Sequence, residues 1–395
     1  VWGLNSGNDT INNWEVSNSG FDVIKIIGLT ASDITFTSDG KDLILTSPSG
    51  NTLTVLHHLT NANSFIDEVR FSDGTVLTKA DIRELVTVSI DGTAADETLV
   101  GSDTRDILDG KGGDDLLIGL DGDDTYIWGL NSGSDTVQNW EAGHDGNDIV
   151  KVVGIVPADV QLIVEGRDLV MLSSTGESLR ILNHVADSHS AINSIEFADG
   201  TVWGQEYISE NALHLQSGSM NNDVLIGESN PDLLIGKAGD DLLLGKSGND
   251  VLEGNAGNDT LIGGSGNDLI IGGANDDIMF GRSIEGAIDL LEVNTFSWRE
   301  SDKGDVGNPD VDVIADFRLG HDLINLKDLL VGENADNLDM YLNIYSSESD
   351  TYIEINSTGN LSTLRSEQII KLQNVDLSGS AYNLEALYSS IIIDE

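Results

Sequence analysis

Aspartate recurs along parts of this chain every nine residues, and that spacing could do chemistry. Between residues 218 and 281 it stands at Asp223, Asp232, Asp241, Asp250, Asp259, Asp268 and Asp277. Between residues 92 and 127 it stands at Asp106, Asp115 and Asp124, with Glu97 in the matching place of a degenerate leading unit. Glycine keeps the same period five residues ahead, at Gly92, Gly101, Gly110 and Gly119 and again from Gly218 through Gly227, Gly236, Gly245, Gly254, Gly263 and Gly272. Each unit approximates Gly-Gly-x-Gly-x-Asp-x-U-x, with U a large apolar residue, and Gly263 to Ile271 is a near-complete example.

These residue types suit a hard divalent cation. Calcium takes six to eight oxygen ligands in a forgiving geometry. Glycines permit a sharp turn with positive φ, which turns backbone carbonyls inward, and the sixth-position carboxylate adds a charged oxygen. The x-U-x triplet then forms a very short strand with U pointing inward. Two units make one turn of a roll, so turns on one edge lie 18 residues apart and an ion fits between stacked turns. The expected metal site comprises the ten aspartates above with the turns at Gly236, Gly245, Gly254, Gly263 and Gly272. A single Gly-x-Asp would read as a loop; seven in register read as a metal array. Asp9 and Asp135 read as continuations of the roll into the next domain. Without metal, stacked carboxylates repel and the glycines carry a large entropic cost, so the arrays are expected to be disordered and to fold when Ca2+ binds. Extracellular calcium modules bind at about 10⁻⁴ to 10⁻³ M, so such sites are empty in a cytosol and filled outside.

A longer period positions these arrays. Trp2-Gly3-Leu4-Asn5-Ser6-Gly7 returns after 126 residues as Trp128-Gly129-Leu130-Asn131-Ser132-Gly133, and Phe71-Ser72-Asp73-Gly74-Thr75 returns as Phe197-Ala198-Asp199-Gly200-Thr201. Short apolar runs such as Val23–Ile27 and Leu43–Thr46, bounded by Gly, Asn, Asp and Ser, read as strands, and Asp73-Gly74 and Asp199-Gly200 as hairpin turns. The expected fold is all-β. Small duplicated β domains (1–91 and 128–217) alternate with parallel β-roll arrays (92–127 and 218–281), and a β-rich capping domain with short helices follows (282–395). Flanking positions of the main array, such as Leu233, Ile235, Leu242, Leu244, Leu269, Ile271, Ile278 and Phe280, are also apolar, so neighbouring segments, the second β domain and the C-terminal domain, are expected to cover them.

Bulk composition agrees. Lys plus Arg is 19 against 68 Asp plus Glu, a formal charge of −49, which excludes simple attraction to nucleic acid or an anionic membrane and favours cations as partners. No cysteine is present, so metal replaces disulfides as the staple. No run of about 18 apolar residues suggests a membrane span. The chain does not begin with Met, and residue 1 falls inside a repeat, so it reads as part of something longer.

The nonapeptide resembles the RTX, or haemolysin-type, calcium-binding repeat. The duplicated domains resemble the haemolysin-type calcium-binding-related domain that alternates with such arrays. Residues 285–395, with Asp312 to Phe317, Gly320 to Leu326 and the acidic, apolar end Ile391 to Glu395, resemble a type I secretion target domain. That resemblance implies a bacterial protein, secreted or on the cell surface, and addressed by its uncleaved C-terminus to an exporter of ABC transporter, membrane-fusion protein and outer-membrane channel. It implies the export end of a large adhesin, with a cell-surface or glycan ligand, or the same module on a secreted toxin or enzyme with its effector upstream. The chain itself is read as no enzyme: it contains no His-Glu-x-x-His or Gly-x-Ser-x-Gly. His58 and His184 read as structural. Trp14 and Trp140 are expected to pack in the core; the alternative is that they stack on a sugar, which would make the duplicated domains carbohydrate-binding modules.

Overall fold

The computed structural model describes residues 1–395 except 14–19, 40, 59–64, 141–145, 283–290, 334–336, 360–365, 378–380 and 394–395. The chain forms two compact units, Val1–Ile208 and Ser209–Glu395. Both are built almost wholly from β-strands, most of them parallel. Among the described residues no helix is long and apolar enough to cross a membrane.

In the second unit, alternate strands feed two facing sheets. One runs Asp232–Ala238, Val251–Ala256, Leu269–Ala274, Thr295–Arg299 and Leu323–Asp328 in parallel. The other runs Val224–Ile226, Leu242–Ser247, Thr260–Ser265, Ile278–Arg282, Asp310–Ile314 and Gln368–Leu372 in parallel. Two antiparallel strands, Asp350–Ile355 and Leu342–Ser347, close its far edge. Register within the array is offset by 18 residues, with Leu234 beside Leu252 and Leu243 beside Leu261. The strands are longer than the expected triplet, because pairing runs on through the next glycine turn, as at Lys237 with Asn255 and Ala238 with Ala256.

The U residues point between the sheets. Leu234, Leu243, Leu252, Leu261, Ile270 and Met279 are fully buried and continue without a break into Phe296, Trp298, Ile314, Ile324 and Ile370. Burying each such side chain contributes roughly 1.5–3 kcal/mol, so array and C-terminal region share one core. The covering of the flanking positions is partial: Leu233 and Ile271 are buried, Ile278 is exposed, and the others named above are half-buried.

The first unit repeats the design twice. Trp2–Gly3 pairs with Val23–Ile27, and Thr125–Gly129 pairs with Ile149–Val153, burying Trp2 and Trp128. Antiparallel three-strand sets follow in each copy: Thr35–Ser38, Leu43–Thr46 and Thr52–Val55, then Val160–Glu165, Asp168–Ser173 and Ser178–Ile181. The Asp-Gly hairpins form where expected, with Gly74 and Gly200 at φ 96° and 91°. Between the copies, Thr87–Asp91, Arg105–Asp109 and Thr125–Gly129 stack in one sheet and Thr98–Val100, Leu116–Ile118 and Ser134–Gln138 in another.

Candidate metal centre

From the second turn of each array onward, the aspartates use their two carboxylate oxygens differently. Oδ1 accepts the backbone N–H of the sixth-position residue one turn earlier. Asp232 donates to Asp250 at 2.9 Å, Asp250 to Asp268 at 3.0 Å, Asp223 to Asp241 at 2.7 Å, Asp241 to Asp259 at 2.7 Å and Asp259 to Asp277 at 2.9 Å. In the first array Glu97 donates to Asp115 at 2.8 Å and Asp106 to Asp124 at 2.9 Å. A second ladder, which the sequence reading missed, runs the other way through fifth-position side chains. Asp240 N–H donates to Asn222 Oδ1, Asn258 to Asp240 and Asp276 to Asn258, each at 3.0 Å. The nine-residue recurrence of Asn or Asp at that position was its signal.

Oδ2 is where the units divide. In the leading units the second-position N–H donates to it: Ser102 to Asp106 at 2.6 Å, Ser219 to Asp223 at 2.6 Å and Glu228 to Asp232 at 2.7 Å. In the later units the second residue adopts a left-handed conformation, as Lys111 (φ 71°), Lys237 (85°), Lys246 (75°), Asn255 (76°), Gly264 (123°) and Gly273 (112°). No such bond forms there, and Oδ2 of Asp115, Asp241, Asp250, Asp259, Asp268 and Asp277 is buried without a hydrogen-bond partner. Asp124, four residues after left-handed Leu120 (φ 73°), is also fully buried.

The expected glycines act sterically. Gly236, Gly245, Gly254, Gly263 and Gly272 are not among the left-handed residues. A Cβ at any of them would collide with Oδ2 of the aspartate five residues on. Positive φ falls instead on the second position and on the fourth, where Gly239, Gly248, Gly257 and Gly266 lie so close to the preceding turn that a Cβ would strike its backbone.

A buried carboxylate oxygen without a donor is costly, and burial raises the acid pKa accordingly. It is pushed to about 7 at Asp250 and Asp268, to about 6 at Asp259 and to about 9 at Asp277, where the neighbouring Asp312 adds repulsion. Asp223, whose Oδ2 accepts from Ser219, is shifted down. Among the described residues no three His, Asp or Glu side chains converge as a metal cluster; what each later unit offers is one buried carboxylate oxygen in a turn. Hard oxygens of that kind fit calcium.

The ladder does not stop with the arrays. Asp115 donates to Asp135 Oδ1 at 2.9 Å, and Asp135 has the same buried, unpartnered Oδ2 with its pKa raised to about 7 by burial. Its duplicate Asp9 lies in an exposed stretch. Further on, protein donors take over. Asp124 donates to Asp148, whose Oδ2 accepts Asn139 Nδ2 at 2.8 Å, and in the other copy Asn13 Nδ2 donates to Asp22 Oδ2 at 2.9 Å. In the C-terminal region Asp268 donates to Asn294 Oδ1 at 3.0 Å, and the Asn294 amide donates to Gly281 O at 3.0 Å. Asp277 donates to Asp312 Oδ1 at 2.9 Å, while Asp312 Oδ2 accepts Trp298 Nε1 at 2.6 Å and Gln368 Nε2 at 2.7 Å.

The histidines are structural as expected: His58 and His184 are buried, and their Nδ1 atoms accept the N–H groups of Ile66 and Ile192. Burial lowers the His184 pKa to about 4, which keeps it neutral. Trp140 departs from expectation. It is 54% exposed, because the buried polar pair Asn139–Asp148 beside it occupies the interior instead. Trp14 lies outside the described residues.

Comparison with known proteins bears on the arrays. Residues 91–126, 217–252 and 253–283 match the RTX calcium-binding nonapeptide repeat (4 copies), and residues 169–207 match the haemolysin-type calcium binding protein related domain. The iron-regulated protein FrpA of Neisseria meningitidis serogroup C is 35% identical over 97 residues, which is 23% of this chain and 9% of that protein. Among solved structures, the extracellular lipase LipA from Serratia marcescens is 17% identical at a TM-score of 0.31, covering 84% of this chain and 46% of the lipase. The AlgE6R2 subunit of the Azotobacter vinelandii mannuronan C5-epimerase is 19% identical at a TM-score of 0.28, covering 45% of this chain and 91% of that subunit. The chain thus carries RTX calcium-binding repeats and spans less than half of the lipase and under a tenth of FrpA.

Proposed function

We propose that this chain is the calcium-responsive folding and export end of a large extracellular bacterial protein, an adhesin. The observation that carries the reading is the row of buried Oδ2 atoms at Asp115, Asp135, Asp241, Asp250, Asp259, Asp268 and Asp277. A bound Ca2+ supplies the positive charge and the lone-pair acceptor that the chain withholds there. These aspartates, with the carbonyls of their stacked turns, are the residues that would hold it. Without it, seven buried carboxylates and a glycine-rich backbone oppose folding, so the arrays stay extended and threadable where calcium is scarce. Outside the cell the arrays close, the main one onto the core it shares with the C-terminal region.

On this reading the chain has a duplicated β domain at 1–91 and 128–217, arrays at 92–127 and 218–281, and an export and capping domain at 282–395. The last of these addresses a type I exporter. The duplicated modules and calcium-stiffened arrays favour an adhesin over a secreted enzyme or toxin with its effector upstream; tandem adhesive modules in the full-length gene would agree, and a single catalytic domain would reverse the choice.

The test removes metal with chelator, then follows far-UV circular dichroism and calorimetry as calcium is added. A gain of β signal with several ions bound, lost in Asp250→Ala with Asp268→Ala, is expected. A chain fully folded in chelator would overturn calcium-driven folding. For the addressing step, deletion of about the last 60 residues is expected to abolish export, and retained export would refute it.

A further inference from the structure

Trp140 sits in the rim of a cleft of about 520 Å³ in the second duplicated domain, lined also by Gln138, Arg167, Leu182, Asn183 and Asp187. That volume lies within the range of small-molecule sites. The walls are held in place. Beside the indole, Asn139 is pinned between the Tyr126 hydroxyl at 2.6 Å and Asp148 at 2.8 Å. The facing loop is tied to the Arg167 turn by Val185 N–H on Arg167 O at 3.2 Å and by Asn183 N–H on Asp168 Oδ1 at 2.8 Å. At 54% exposed, the indole presents a large apolar face on a rigid base.

Arg167 is the second observation. In a chain with 68 acidic and 19 basic residues, guanidinium groups find carboxylates readily. Among the described arginines, Arg70, Arg83, Arg105, Arg180, Arg282, Arg299 and Arg318 all form ion pairs, and Arg167 forms none. Its own neighbours are already neutralised, because Arg180 pairs with both Glu165 and Asp168. Asp187 is likewise engaged, by His189 Nδ1 at 2.8 Å and by the His189 N–H at 3.0 Å. The cleft therefore offers a planar apolar platform, an uncommitted bidentate cation and neutral amides from Gln138 and Asn183. The 126-residue repeat puts Trp14 and Lys41 at the positions of Trp140 and Arg167, so the pairing of indole with cation recurs in the sequence of the other copy.

We propose that this cleft binds a pyranose that carries a carboxylate, with the ring stacked on Trp140 and the carboxylate paired with Arg167. A fork-shaped guanidinium matches a carboxylate bidentately, and the amides take ring hydroxyls. Uronates and sialic acids share this chemistry. The inference is independent of the calcium arrays.

The experiment uses the full chain in constant excess calcium, with tryptophan fluorescence and calorimetry as readouts. The probes are tetragalacturonate, its methyl ester and 3′-sialyllactose. At least one free acid is expected to bind, at least tenfold tighter than the uncharged ester where galacturonate is the ligand. Binding of one acid and not the other identifies the source. Trp140→Ala is expected to lose at least tenfold, with circular dichroism unchanged because the side chain is largely exposed. Arg167→Ala is expected to bind acid and ester equally, and Arg167→Lys to fall between it and the parent chain. The proposal is overturned if neither acid binds, if both alanine variants bind as the parent does, or if Arg167→Ala still discriminates acid from ester, which would assign the preference to calcium bridging.

Discussion

The main array and the C-terminal region are built on one ladder and one core, yet they treat the same oxygen in opposite ways. At Asp241, Asp250, Asp259, Asp268 and Asp277 the Oδ2 atom is buried with no donor. One rung later, Asp312 gives its Oδ2 to Trp298 and Gln368, and Asn294 replaces the oxygen with an amide that donates to Gly281. The first unit shows the same contrast between its two edges, where Asp135 has a buried Oδ2 with no donor and Asp148 has its Asn139 donor. On the proposed reading, metal dependence is therefore a property of single rungs. It is decided by whether a side-chain or backbone N–H reaches Oδ2, while the surrounding sheet stays the same.

The comparison breaks most visibly if the protein donors at Asp312 are removed. Trp298→Phe with Gln368→Leu leaves a fully buried carboxylate oxygen unpaired, which costs about 1–3 kcal/mol or more for a charged group. Chemical denaturation in saturating calcium is expected to show that loss. An unchanged midpoint would mean that Trp298 and Gln368 do not support the rung.

Asp268→Asn makes the converse change, converting a metal rung into a copy of Asn294. Its Oδ1 still accepts the Asp250 N–H, but the charge is gone. Calorimetry is expected to show weaker calcium binding together with less need for it, seen as higher residual β signal in chelator. The parent chain should behave alike under acid. Burial raises the Asp250 and Asp268 pKa from 3.8 to about 7, so their protonated forms favour the folded state. In chelator, that contribution is fully present below about pH 3.8 and lost as pH rises through about 7. More β signal at pH 5 than at pH 8 is expected in the parent, with a smaller difference in Asp268→Asn. No difference in either would separate the carboxylates from the folding step.

The smallest expected effect concerns the left-handed backbone angle at the second position of the later units. Lys246 holds φ 75°, a conformation that costs a side-chain-bearing residue about 1–2 kcal/mol. Lys246→Gly should relieve part of that strain and raise the unfolding free energy of the calcium-bound chain by up to about 1 kcal/mol, read by chemical denaturation. Destabilisation instead would mean that the lysine side chain contributes more than its backbone costs.

Much of this was legible in the sequence because a repeat multiplies weak signals. The 18-residue register, the inward column from Leu234 to Met279 and the stacking of the aspartates all follow from a strict nine-residue period. What escaped depends on a backbone angle. Ser219 and Lys237 occupy equivalent second positions, and nothing in their side chains announces that one donates to its aspartate while the other turns left-handed. Glycines were legible as turns, but not as the residues that leave room for Oδ2. Trp140 misled because the tryptophans of a different repeated motif, Trp2 and Trp128, are buried, and its own exposure is set by a polar pair that meets only in three dimensions.

The 18-residue register also has a mechanical meaning. One turn consumes about 60 Å of extended chain and advances the roll by one strand spacing, about 4.8 Å. Winding a turn thus shortens the polypeptide roughly twelvefold along its own path. A chain held at one end while its turns close is drawn in, and on the proposed reading the work comes from neutralising a carboxylate. If calcium closes the turns as proposed, a cation gradient across a barrier becomes, in this geometry, a pulling force along the backbone.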